Sequence, residues 1–246
     1  MNIINPHRHP PQQEGASGGS GGSGGALFQS TIYDFNSEAI NTGNGWSPST
    51  AYAADGWVNG TSAVNGTQWS SGTNTQGINS KSSSTSSSNT GPAGGMTSVT
   101  NGTPSTSSSQ KYLYKETSAN RHYLDHLART PGYNFSTLMS DTTNDLRMVF
   151  WYHAYGATTW NNDLYTIYTD TATTSNSTTA TQLQTLGHSG NLMSQSTDAY
   201  IIQYVDLNSY RTINSTHYFY ILLNSQTAGT GYRHDIAIDT VYFEEY

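Results

Sequence analysis

An all-β sandwich of two antiparallel sheets is the fold this sequence predicts, and three observations predict it. Runs of β-branched, aromatic and aliphatic residues recur at short spacing. Turn residues separate them, and no stretch carries a convincing helical period. Charged residues make up only 10% of the 246, against about 25% in ordinary globular domains, so Ser, Thr, Asn, Gly and Tyr carry the surface.

Taken in order, positions 1–14 form an arm with Pro and His, in which Ile3 and Ile4 are the one sizeable aliphatic pair. GASGGSGGSGG at 15–25 is a flexible tether whose ends would sit on the order of 18 Å apart, at about 5–6 Å per square root of residue number. A tether needs something at both ends, so the arm reads as a docking peptide and 26–246 as the body it displays. That body opens with LFQSTIYDF at 27–35, followed by short candidate strands at 56–58 and 68–69. Near 79–110 the chain is mostly Ser, Thr, Gly and Asn and reads as a long decorated insertion, with one edge strand around Met96. Regular patterning returns at KYLYKE, 111–116, where Tyr112 and Tyr114 share a face. Positions 122–129 read as a strand, although Tyr123, Leu124, Leu127 and Ala128 would also suit one helical face.

The densest run is LRMVFWYHAYG at 146–156. Alternation sets Leu146, Met148, Phe150, Tyr152 and Ala154 on one face, with Val149, Trp151 and Tyr155 on the other, so both faces have something to bury. Further strands follow at 164–169, 199–207, 217–223 and 236–243, the last alternating as cleanly as 146–156. Gly156, Asn161, Asn162, Asn208, Gly229 and Gly231 are among the turn residues between them. The expected topology is a jelly roll whose central strands come from the middle of the chain and from 236–243.

Composition bounds the function. A net charge of −7 with nine Lys and Arg, scattered from Arg8 to Arg233, leaves no basic stripe to neutralise phosphates, so nucleic acid is not expected as a partner. Cysteine is absent, so stability must come from packing or assembly. MNIINPHRHPP lacks the basic start and apolar run of a signal peptide, and no stretch approaches the roughly 18 apolar residues of a membrane span. Neither export by that route nor membrane insertion is expected.

Catalytic chemistry finds little support. Of five Glu, three (Glu14, Glu244 and Glu245) lie near the ends of the sequence, leaving Glu38 and Glu116 isolated where glycoside hydrolysis needs a facing pair. Gly187, Ser189 and Gly190 have the wrong spacing for a nucleophile elbow. Among eight His, the pair His7 and His9 and the group His122, Asp125 and His126 could converge on a metal only through several copies of the chain. A noncatalytic protein is the expectation. Tyr 18, Trp 5 and Phe 6 in so hydrophilic a chain raise a second one, because exposed aromatics stack on sugar rings. Trp160, beside Asn161 and Asn162 in a loop, is the candidate glycan contact.

The order of motifs from Tyr33 to Phe243 resembles the MAM domain, a jelly-roll adhesion module. It runs through Asp34-Phe35 with Glu38, Trp46, Gly91-Pro92, Tyr112 to Glu116, Leu127 to Pro131, Leu146 to Gly156 and Leu164 to Tyr168, and closes on Asp235 to Asp239. The resemblance implies a hard cation such as calcium near Asp34 and Asp239, with backbone carbonyls completing its shell. The family's cysteines are missing, and Gly95 stands where an acidic ligand tends to follow Gly-Pro. No other cofactor is expected. The opening Ile3, Ile4, Asn5, Pro6, His7 and Arg8 resembles the N-termini of tailed-bacteriophage structural proteins. Together these readings lead to a virion structural protein assembled in the host cytoplasm and anchored on capsid or tail proteins through those six residues. Capsid decoration or cementing is favoured over a tail fibre. A homo-oligomer is expected, and the alternative is a host-recognition module that binds cell-surface glycan.

Overall fold

The computed structural model describes residues 27–36, 57–59, 76–77, 79–82, 91–100, 103–115, 126–139, 141, 143–156, 163–173, 179–188, 192–224 and 234–246. Its strands are β1 (Val58–Asn59), β2 (Gln76–Gly77), β3 (Asn79–Ser82), β4 (Gly95–Thr100), β5 (Thr103–Ser107), β6 (Lys111–Lys115) and β7 (His126–Arg129). After the one-turn helix α1 (Phe135–Leu138) come β8 (Leu146–Gly156), β9 (Tyr165–Asp170), β10 (Thr181–Leu186), β11 (Ile201–Asp206), β12 (Tyr218–Leu223) and β13 (His234–Glu245).

Two sheets face each other, as the alternation requires. One has the order β11-β8-β13-β6-β3, and the other β1-β7-β12-β9-β10 with β2 parallel to β7. All other pairings are antiparallel, which makes the fold the expected all-β, jelly-roll-like sandwich. Between the sheets lie Leu146, Met148, Phe150, Tyr152 and Ala154 of β8, meeting Ile167 of β9, Phe219, Ile221 and Leu223 of β12, and Ile236, Ile238, Val241 and Phe243 of β13. Burying one such side chain contributes about 1.5–3 kcal/mol, so this two-sided seam dominates stability. The central strands are β8 and β13, in the places the two densest runs predict.

Two stretches depart from the sequence expectation. The stretch near 79–110 supplies strand β3 at a sheet edge and the hairpin β4–β5, where a decorated loop with one edge strand was expected. TQLQTL at 181–186 forms the edge strand β10 against β9, and nothing in its polar composition announces it. The first body segment, 27–35, touches β13 through isolated bridges, Gln29 opposite Glu244 and Tyr33 opposite Val241, without forming a named strand. Among the described residues no helix is long and apolar enough to cross a membrane.

Candidate functional site

Two places on the five-stranded sheet gather polar and aromatic chemistry. The first is a fork in β13. From Ile236 to Ile238 this strand pairs with β6, and beyond a bulge between Asp239 and Tyr242 its free side is taken by 27–35. Tyr33 and Val241 exchange both backbone hydrogen bonds there, at 2.9 and 3.0 Å. Changing partners bends the chain: Thr240 takes φ 52° and Phe35 φ 56°, left-handed conformations that non-glycine residues rarely adopt. The carboxylates just before these two residues are Asp239 and Asp34.

Asp239 is fully buried. One of its oxygens accepts the Met96 backbone N–H at 2.7 Å, and the other accepts the Thr240 N–H at 2.7 Å. Burial nevertheless pushes its pKa well above the ordinary carboxylate range, and the nearby Asp34 charge adds to the rise. Asp34 is exposed and accepts the Asn36 N–H, while the Asn36 amide oxygen accepts the Lys111 N–H at 2.7 Å. These oxygen donors suit a hard cation, but among the described residues no three His, Cys, Asp or Glu side chains converge. Gly95 explains why a third acid is missing: a Cβ there would sit 2.5 Å from the Lys111 carbonyl oxygen. The residues present would hold calcium through Asp34 and Asp239 at most, giving a two-carboxylate site.

The second place is the open half of the same sheet. Arg147, Tyr204, Tyr242, Glu244 and Tyr246 share its outer face. The Arg147 guanidinium lies 4.1 Å from the Tyr204 ring centroid and 4.0 Å from that of Tyr246. Its Nη2 meets Glu244 Oε1 at 2.6 Å and its Nε donates to the same oxygen at 2.8 Å. Tyr204 is 43% exposed and Tyr246 50%. The arginine thus fixes two rings whose remaining faces meet solvent, an arrangement that lowers the entropy lost when a flat ligand stacks there. Alternation of Ile202, Tyr204 and Asp206 along β11 is the signal in the sequence that could have found this group; Trp160 drew attention because it sits among loop residues.

A Ser–His contact also exists. Ser215 Oγ and His217 Nε2 are 3.0 Å apart, but His217 Nδ1 is buried with no hydrogen-bond partner, so no acid orients the ring as a hydrolytic triad needs. The predicted arm residues Ile3, Ile4, Asn5, Pro6, His7 and Arg8 and the predicted glycan contacts Trp160, Asn161 and Asn162 lie outside the described residues. Asp34 and Asp239 lie on the two chains of the fork, near enough for the Asp34 charge to act on Asp239.

No protein-family model matches the chain, and no curated protein matches its sequence. Among solved structures it is similar to the K3 cleaved adhesin domain of Lys-gingipain (Kgp) from Porphyromonas gingivalis W83, at 12% identity and a TM-score of 0.46, over 87% of this chain and 98% of that one. It is also similar to the K1 cleaved adhesin domain of the same protein, at 13% identity and a TM-score of 0.38, over 55% of this chain and 73% of that one. Likenesses this distant do not bear on what this chain binds.

Proposed function

We propose that the chain is a noncatalytic structural protein of a tailed-bacteriophage particle. Residues 1–14 dock on the virion through Ile3 to Arg8, 15–25 set the reach, and the sandwich stands on the exterior. Several copies would turn weak arm contacts into firm attachment through effective concentration. Decoration or cementing of the capsid is favoured over a tail fibre.

The observation that supports this most is how 27–35 joins the body. Phe28 N–H donates to Glu245 Oε2 at 2.8 Å, and Glu245 N–H returns a bond to the Phe28 carbonyl at 2.9 Å. Whatever precedes residue 27 therefore pulls on a hydrogen-bonded seam tied into a central strand, which suits a displayed body on a tether. The test compares the full chain with a version lacking residues 1–25 for binding to purified particles that lack the protein. Binding by the full chain alone supports the reading, and equal binding by both moves the assembly contact to the sandwich.

A second reading, recognition of cell-surface glycan, is favoured by the two rings clamped on Arg147. It expects the full chain to retain host polysaccharide and Y204A/Y246A to lose at least tenfold in affinity, about 1.4 kcal/mol. Retention unchanged in that variant but lost in W160A would move the contact to Trp160. Absence of retention by the full chain would leave the structural reading alone.

A further inference from the structure

On the outer face of β8, His153 has no exposed surface, and neither ring nitrogen has a hydrogen-bond partner. Leaving two polar atoms unpaired in the interior costs free energy that alternation alone does not demand, since an apolar residue would fit the position. The ring packs against Tyr200, centroids 5.4 Å apart. Above it lies the loop of residues 192–200, stapled at several points. Met193 N–H donates to the Ala154 carbonyl at 2.9 Å, and the Met193 sulfur accepts the Ala154 N–H at 3.1 Å. Ala93 N–H donates to the Ser196 carbonyl at 2.8 Å, and Tyr200 hydroxyl to the Gly94 carbonyl at 3.2 Å. Inside the loop, one Asp198 oxygen accepts Ser194 N–H, Ser194 Oγ–H and Gln195 N–H, which folds it into a tight turn.

We propose that His153 and the 192–200 loop form an acid-sensitive latch: the loop closes over the neutral imidazole and is released when the ring takes up a proton. Tyr200 leaves with the loop, so release opens to solvent the side of the cluster formed with Trp151, Tyr112, Tyr114 and Met96.

The charged and titratable neighbours decide the sign. Burial lowers the His153 pKa from 6.5 to about 4, outweighing the Asp198 charge and the Gln195 backbone carbonyl in the loop, which both favour the protonated ring although the carbonyl is not placed for a full hydrogen bond. On β13, Asp235 and Asp239 flank Ala237, the residue opposite His153, and both are buried. Tyr200 and the β6 residues Tyr112 and Tyr114 bring hydroxyls, with Tyr200 held neutral well above its usual range by burial. The 91–94 segment brings no ionisable side chain. Above pH 6.5 the ring is neutral whether the loop is closed or open. Below it the open form binds a proton that the closed form excludes, so opening grows about tenfold per pH unit until pH about 4. Asp239 pulls the other way, because its raised pKa lets the closed form gain a proton first, and the variant below separates the two.

The experiment follows hydrogen exchange at the Met193 and Ala93 amides of the full chain from pH 7.5 to 4.5, corrected for intrinsic exchange, in the wild type and in H153F. Phenylalanine keeps a flat ring of similar size and removes both nitrogens. The latch expects wild-type protection to fall about 40-fold between pH 6.5 and 4.5 and H153F to hold level or gain protection through Asp239, with binding of an apolar dye rising in parallel with the loss in the wild type alone. Equal loss in both proteins would overturn it. Should H153F fail to fold, the His153 ring resonances of the wild type decide: titration near pH 6.5 with protection intact would also overturn it.

Discussion

The outer face of the five-stranded sheet carries one alternating pattern with two outcomes. Toward the Gly156 end of β8, Trp151 and His153 are covered by the β4–β5 hairpin and the 192–200 loop. Toward the Leu146 end, Arg147 and Tyr204 stay open and are braced by Glu244 and Tyr246. The strands are the same; the difference is what crosses them. Alternation decides which face a residue occupies, and whether that face becomes interior or surface depends on segments far away in sequence.

This contrast can be broken in order of expected effect. W151A, in the covered half at 6% exposure, should cost about 3–5 kcal/mol of stability by denaturant unfolding, since hairpin and loop cannot collapse into the space. A cost below about 1 kcal/mol would show that the cover is not packed. D239A should cost about 1–3 kcal/mol, because the Met96 and Thr240 N–H groups lose a buried acceptor. If calcium raises the wild-type melting temperature, D239A should abolish that rise. An equal rise in the double variant D34A/D239A would rule out the two-carboxylate site. R147M, which keeps an unbranched stem between the rings, should cost about 1 kcal/mol or less, with the loss shrinking in salt. Y204A should move stability by no more than about 0.5 kcal/mol, so an effect on polysaccharide retention would report contact and not unfolding.

Much of the fold was legible because the runs at 146–156 and 236–243 are apolar on both faces, and only central strands need that. The edge strands were not. β10 carries Leu183 and Leu186 among Thr and Gln and is mostly half-buried, so its pairing comes from β9 and not from its own hydrophobicity. β3 and the β4–β5 hairpin hide in Ser/Thr-rich sequence for the same reason, with Met96 the one large apolar side chain among the described residues that they place in the covered half. Proximity of Asp34 to Asp239 was legible only through the order of motifs, since composition does not bring positions 205 residues apart together. The Arg147 clamp was missed because it joins β8, β11 and β13 across the sheet, a relation that depends on register.

The place of β13 in the middle of its sheet has a consequence for how the protein is made. β8 and β6 flank it, yet they end 78 and 119 residues before His234 and emerge from the ribosome well ahead of it. Until 234–245 follow, two apolar strands wait without a neighbour between them, with Met148, Phe150 and Leu113 in search of cover. The five-stranded sheet is completed only when β13 joins the β11–β8 and β6–β3 pairs, so translation that stalls before residue 234 should leave a product prone to aggregate.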